Sequence, residues 1–404
     1  MLEAWDVLPA WPLDWPAIGT LAALLAAAIG FGEVVARWLR QPRLLGYVAA
    51  GGLLATLAAV AGPQFALPGQ AAALAADMAA AVVLFELGQR ASFGWIRRNP
   101  ALLASSLAEA GLTLVAVWAA LRAVEVEPLT ASIVAAIAMA TSPAVLLSIT
   151  RELRAQGQVT ERALLLTALN CIYAVVLAHL LLSWGHLEVR AGFDLIVLKP
   201  AYLVFGSLLV GMIAARLLLL VAGLIGRTRT AQWMFGLCCV VLVFSVAQML
   251  ELSTALALLS FGGFARSLDR QRRWSAVEFG PATAASVVLL FALSAASVDV
   301  SSVSFAWGAA VVLVLARAAC KIGAVVALSH WAGLGVQRGS WVGITLLPMA
   351  ALALVLTRDV VEAIPPLGRD VASIVLPAVI IMVVLGTLAA VWALRKAQET
   401  RGEQ

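Results

Sequence analysis

Long apolar segments separated by short polar connections run along almost the whole chain. Between Ala17 and Leu394 the apolar runs repeatedly reach roughly 18 residues or more, the length at which a helix can cross a hydrocarbon core of about 30 Å with its backbone hydrogen bonds satisfied. The pattern predicts an all-α integral membrane protein with about thirteen transmembrane helices and no soluble domain of any size. Their predicted positions are near residues 17–38, 43–61, 70–89, 101–122, 129–150, 163–184, 195–225, 231–250, 252–267, 277–297, 303–328, 340–357 and 371–394.

The composition agrees with a membrane environment and narrows the possible functions. Of the 404 residues, 63% are hydrophobic and 12% are charged, whereas soluble domains have about 45–50% apolar and about 25% charged residues. The lipid bilayer is therefore the expected partner, and no basic block is long enough to predict nucleic-acid binding. No phosphate loop, nucleophile triad, cofactor motif or metal-ligand spacing is present, so we predict neither an enzyme nor a cofactor or metal site.

Basic residues are concentrated in alternate connections, as the positive-inside rule expects of cytoplasmic loops. The asymmetry predicts a multi-pass protein of the cell inner (plasma) membrane, with the N-terminus outside, the C-terminus in the cytoplasm and an odd number of helices. Residues 1–16 contain no Lys or Arg, so no cleavable signal peptide is predicted. The stretches richest in basic residues are 37–43, 90–98, 151–162, 266–273 and 395–401.

The longest apolar run divides the predicted helices into two equal sets. We therefore predict a single transmembrane domain over 1–404, with repeat one at about 17–184, a linker helix at 195–225 and repeat two at about 231–394, and no soluble regulatory domain. Equivalent helices of the two sets would run in opposite directions, because the linker makes their offset an odd number of helices. This is the arrangement of inverted repeats in secondary transporters.

Two prolines interrupt helices that are equivalent under this offset. Pro143 lies in the predicted fifth helix and Pro348 in the predicted twelfth. A proline inside a helix removes one backbone hydrogen bond and frees a carbonyl, which in a membrane must be buried in protein or line a cavity. We predict that both helices are unwound there and cross. The hydroxyls of Thr141 and Ser142, directly before Pro143, can ligate a small ion or cap the freed backbone groups.

Several segments in chain order resemble the monovalent cation:proton antiporter superfamily, which includes sodium/proton exchangers and potassium/proton antiporters. They are Gln-Pro-Arg-Leu-Leu-Gly-Tyr-Val-Ala-Ala-Gly at 41–51, Val-Leu-Phe-Glu-Leu-Gly at 83–88, Thr-Ser-Pro-Ala-Val at 141–145 and the glycine-containing stretch at 252–265. The resemblance implies exchange of Na⁺ or K⁺ for H⁺. It also implies a core bundle of helices 4–6 and 11–13 that moves against a dimerising bundle, and a homodimer.

The chain departs from this family at the residue that normally binds the ion. Where the family has an Asp-Asp or Asn-Asp pair on the sixth helix, this sequence has Asn170 and Cys171. Burial keeps a thiol neutral, so Cys171 cannot replace a carboxylate as a ligand for a hard cation or as a proton carrier near neutral pH. The family's usual chemistry is therefore missing at this position.

Two basic residues, Arg317 and Lys321, lie one helical turn apart inside the predicted eleventh helix, and Lys321-Ile-Gly is similar to the family's pattern there. A charge inside a membrane helix costs at least about 2.5 kcal/mol and normally has a partner or faces a cavity. Lys321 either stays buried, where Asn170 could accept a hydrogen bond from it, or extends to the cytoplasmic surface. Glu109, well inside the fourth helix, is the best candidate for a buried carboxylate.

Three functions follow from these observations. The first is a secondary transporter that exchanges a monovalent cation for protons. The second, suggested by Cys171, is a transport-silent member of the family that acts as a subunit, scaffold or sensor in a larger membrane complex. The third is a carrier for a different solute.

Overall fold

The computed structural model is built from helices that bury one another's apolar faces. It describes residues 17–61, 69–90, 100–185, 193–225, 228–269, 274, 280–296, 306–331 and 333–400. The N-terminal segment 1–16 and the predicted helix starts at 277–279 and 303–305 lie outside these residues. The helices are α1 (Ala17–Trp38), α2 (Arg43–Ala61), α3 (Gly69–Arg90), α4 (Pro100–Ala123), α5 (Pro128–Met139), α6 (Pro143–Glu152), α7 (Gln158–Gly185), α8 (Phe193–Ile225), α9 (Arg229–Met249), α10 (Thr254–Leu268), α11 (Gly280–Ala296), α12 (Trp307–Leu328), α13 (Val336–Thr345), α14 (Ala351–Ala363), α15 (Pro365–Ile381) and α16 (Thr387–Lys396), the last two joined by a π-helical segment, Met382–Gly386.

Length and hydropathy agree with the predicted membrane class. Within the described residues, nine helical segments are long and apolar enough to cross a membrane, and shorter apolar helices accompany them. The fold is thus all-helical and multi-pass, as predicted. The count of about thirteen spans and the division into repeats at 184 and 231 stay predictions.

The predicted fifth and twelfth helices are each broken into two half-helices, which confirms the prediction made from their prolines. Helix α5 ends at Met139 and α6 begins at Pro143, which suits a first helical position because its missing N–H would be unpaired there. Helix α13 ends at Thr345 and α14 begins at Ala351. The predicted range 340–357 was too short at both ends, because polar and charged residues near a membrane surface can continue a helix beyond its apolar run.

The first broken helix lies at the centre of the molecule. Its most apolar stretch, within Pro128–Glu152, is 94% buried, whereas that of α8 is only 22% buried. Helix α8 instead exposes large apolar side chains such as Phe205 and Leu224. The broken helix is therefore enclosed by protein, as its unpaired backbone groups require, while the long helix α8 lies at the periphery.

The π-helical segment Met382–Gly386 brings the last helix close to the second break. A Cβ atom added to Gly386 would lie 3.0 Å from the Pro348 Cα atom, so glycine permits this approach. Short π-helical insertions are often found at functional positions in α-helices. This one contributes Met382 to the region of the break.

Candidate functional site

The two breaks, at residues 140–142 and 346–350, contact each other directly, and we refer to this region as the crossing. The backbone N–H of Ser142 donates a hydrogen bond to the Pro348 carbonyl at 2.9 Å, and the Thr141 hydroxyl donates to the Leu346 carbonyl at 3.1 Å. The Ser142 hydroxyl also accepts from the backbone N–H of Val145 at 3.4 Å, as an N-cap of α6. Both hydroxyls predicted for this segment therefore lie at the crossing and cap freed backbone groups.

Arg317 of α12 binds the carbonyls that the two breaks leave free. Its Nε donates to Ala138 at 2.8 Å, and its Nη2 donates to Ala140 at 2.8 Å and to Leu346 at 3.2 Å. Its Nη1 donates to the Leu347 carbonyl. The side chain is completely buried. One guanidinium thus satisfies carbonyl groups at the C-terminal ends of α5 and α13.

The position of Arg317 also explains how its charge is tolerated. The C-terminal end of a helix carries a partial negative charge, and cations are favoured there. Two such ends, those of α5 and α13, meet at this guanidinium. Carbonyl acceptors and helix dipoles together offset much of the cost of burying the cation. The sequence singled out Arg317, but not the carbonyls it binds.

Lys321, one turn further along α12, forms an ion pair with Glu109 of α4. Lys321 Nζ lies 2.6 Å from Glu109 Oε1, and the side chains are 0% and 1% exposed. The alternative in which Lys321 extends to the surface is wrong, and so is the suggestion that Asn170 accepts its hydrogen bond. A carboxylate neutralises a buried ammonium, which a neutral amide cannot do, and this favours Glu109 as the partner.

Asn170 and Cys171 of α7 are also fully buried, next to the crossing. The Cys171 thiol donates to the Thr141 carbonyl, with Sγ 3.3 Å from the oxygen. Among the described residues, neither polar side-chain atom of Asn170 has a hydrogen-bond partner. Cys171 therefore caps a carbonyl freed by the first break, and the buried carboxylate that pairs with Lys321 comes from α4.

The hydroxyl and carbonyl groups at the crossing provide oxygen atoms, and Glu109 and Lys321 provide one protonatable pair. The described part of the chain contains no group of three or more His, Cys, Asp and Glu side chains that could hold a metal ion. Hydroxyl, carbonyl and carboxylate oxygens suit hard cations. Sequence reasoning missed Met382, whose Sδ lies 3.9 Å from Arg317 Nη1, because nothing in its pattern distinguishes it from an apolar core residue.

A cavity of about 740 Å³ lies at the end of the bundle where α7 ends. His179 of α7 and Asp359 of α14 face each other there at 3.8 Å, and Asp77 of α3 pairs with Arg358 of α14 at 3.4 Å. We refer to it as the wide cavity. Ionisable side chains from α3, α7 and α14 thus face one cavity at this end of the bundle.

A family model and two solved structures are similar to this chain. A family model described as "Sodium/hydrogen exchanger, transmembrane" matches residues 21–396. The structure of the sodium proton antiporter MjNhaP1 from Methanocaldococcus jannaschii at pH 8 superimposes with a TM-score of 0.70 at 15% sequence identity, over 96% of this chain and 99% of that chain. An electron-microscopy structure of the same antiporter gives a TM-score of 0.70 at 15% identity, over 95% and 99%. Among curated protein sequences, none matches this chain.

Proposed function

Since this chain belongs to the sodium/hydrogen exchanger family, we propose that it exchanges a monovalent cation, Na⁺ or K⁺, for protons and uses the Glu109–Lys321 ion pair as its protonatable group. The observation that carries this proposal is the buried carboxylate itself. It provides the acidic group that Cys171 cannot, and it lies on α4 instead of α7. The chain thus has a means of coupling even though the family's usual aspartate is absent.

The ion pair suggests how a cation and a proton would compete. With no cation bound, Glu109 carries a negative charge and Lys321 carries the proton. A cation that binds Glu109 displaces the ammonium, and because an unpaired ammonium is costly to bury, Lys321 then releases its proton. One cation replaces one proton, and the net charge of the site is the same in both states. This scheme implies electroneutral exchange.

The predicted core bundle corresponds to α4–α7 and α12–α16. In an exchange cycle, this bundle would move against the remaining helices. Two ion pairs of α3 cross this boundary, one near its C-terminal end and one near its middle. Glu86 pairs with Arg151 at the end of α6, while Asp77 pairs with Arg358 near the end of α14. The tripeptides Thr-Arg-Glu at 150–152 and Thr-Arg-Asp at 357–359 lie at similar distances from the starts of the two half-helices, which supports the proposed inverted repeats.

We place the protein in the inner (plasma) membrane with its N-terminus outside and propose a homodimer. The exposed apolar side chains of α8, such as Phe205 and Leu224, suit either lipid or a second copy. Mass measurement in lipid nanodiscs distinguishes the two. A monomer would contradict the dimer without affecting the exchange proposal.

The test of function is transport by the purified protein in proteoliposomes that contain a pH-sensitive dye. Addition of Na⁺ or K⁺ should move protons in the opposite direction, choline should not, and protein-free liposomes should give no signal. Absence of movement with either cation across a range of pH would contradict exchange and favour a transport-silent subunit, the alternative that Cys171 suggests. Proton movement that no monovalent cation affects would instead point to a different solute.

A further inference from the structure

A second, much smaller cavity lies against Glu109. Its volume is about 20 Å³, and a buried site needs roughly 10–15 Å³ to hold one water molecule. Four polar residues contribute to its lining: Ser105 and Glu109 of α4, Arg162 of α7, and Ser329 directly after α12. The cavity is therefore large enough for one water molecule, and its four polar side chains stand among six apolar ones.

The unpaired oxygen of Glu109 gives an independent reason to expect an occupant. Lys321 binds Oε1, but in the part of the chain that the structure describes Oε2 is buried without a hydrogen-bond partner. A buried carboxylate oxygen without a donor costs about 1–3 kcal/mol or more. A water molecule in the adjoining cavity would remove most of this cost.

The cavity leads from the ion pair toward one end of the bundle. Arg162 lies near the start of α7, and Ser329 follows the end of α12. The wide cavity, with His179 and Asp359, lies at the opposite end of α7. The two cavities therefore lie toward opposite ends of α7, and of the two it is the small one that is lined by Glu109.

We infer that this small cavity holds an ordered water molecule that links Glu109 to the aqueous surface at Arg162 and carries the exchanged proton to and from the ion pair. The inference rests on the proposed function, since the proton it describes is the one exchanged. In the proposed orientation, this route opens on the cytoplasmic side. It lies within the core bundle, between α4, α7 and α12.

Radiolytic hydroxyl-radical labelling tests for the water without requiring transport. Ordered water produces radicals beside the side chains it touches, so Leu166 and Val325, which line the cavity, should be oxidised in the wild-type protein. Leu146 and Phe261, which are fully buried away from it, should not. Equal, background labelling of all four side chains in the folded wild type would overturn the inference.

A filling variant then connects the water with proton movement. Ser329→Leu should reduce the labelling of Leu166 and Val325 by about tenfold, because its side chain occupies the space of the water, and should slow cation-driven proton movement. Ser340→Leu, at a half-buried position of α13 outside the cavity lining, is the matched control and should change neither. Labelling without any exchange by the wild type would contradict the proposed function but retain the water. Unaltered exchange by a folded Ser329→Leu protein that has lost the labelling would overturn the proton route.

Discussion

Lys321 Nζ lies 2.6 Å from Glu109 Oε1, within an ion pair that is closed to solvent and joins helices distant in the sequence. The pair lies one turn from Arg317, whose guanidinium binds carbonyls of both broken helices. Among the residues that the structure describes beside the crossing, two buried cations, Arg317 and Lys321, therefore accompany one buried carboxylate, Glu109. A monovalent cation from solution that competes with the Lys321 ammonium for Glu109 would be exchanged for a proton.

Removing one member of the pair should destabilise the protein more than removing both. We expect Lys321→Gln to cost about 3–5 kcal/mol, because Glu109 would remain buried without a counter-charge. The double variant Glu109→Gln/Lys321→Gln should recover most of this loss, since no buried charge is left uncompensated. Thermal unfolding in detergent measures both. Losses that simply add would show that the two side chains are not coupled.

Arg317→Lys should destabilise the crossing although the charge is kept. A lysine ammonium is a single point and cannot reach the carbonyls of Ala138, Ala140, Leu346 and Leu347 together. We expect a loss of about 2–4 kcal/mol from unsatisfied buried carbonyls. Arg216→Lys, at an exposed position of α8, is the matched control. An equal melting temperature of the two variants would contradict this account of Arg317.

Cys171→Ala should leave exchange almost unchanged. The thiol makes one weak hydrogen bond, to the Thr141 carbonyl, and its loss costs about 1 kcal/mol. Proton movement in proteoliposomes should stay within about twofold of the wild-type rate. Cys239→Ala, which also removes a buried thiol, serves as the control. Complete loss of exchange in Cys171→Ala alone would make Cys171 part of the transport chemistry.

The two ion pairs of α3 should stabilise different half-helices: Glu86–Arg151 should stabilise α6, and Asp77–Arg358 should stabilise α14. Glu86→Gln should speed hydrogen exchange at the end of α6, over 150–156, by about tenfold for each 1.4 kcal/mol lost. Asp77→Asn should do the same at the end of α14, over 357–363, because it removes the other ion pair. Mass spectrometry of peptides from each variant distinguishes the two ends. Identical changes at both ends would indicate general loosening instead.

The sequence predicted those parts of the site that depend on local chemistry. Pro143 and Pro348 predicted both breaks, since proline removes a backbone donor wherever it stands in a helix. Glu109 was identified as the best buried carboxylate because an acidic side chain far from both helix ends is rare in a membrane segment.

Other features depend on which helices meet, and the sequence alone did not predict them. Periodicity does not show that α4 packs against α12, so the choice of Glu109 over Asn170 as the partner of Lys321 required the structure. The carbonyls around Arg317 belong to alanine and leucine residues, whose side chains carry no polar signal. The π-helical segment at Met382 likewise has an ordinary apolar sequence.

Cation-driven proton movement by Glu109→Gln in proteoliposomes tests the central claim most directly. Glutamine keeps the size of the side chain but cannot carry the negative charge for which the cation and Lys321 compete. We predict that the signal falls to that of protein-free liposomes, while Glu161→Gln, the same change at an exposed position of α7, exchanges at the wild-type rate. Exchange by folded Glu109→Gln at the wild-type rate would contradict the claim that the Glu109–Lys321 pair couples the cation to the proton.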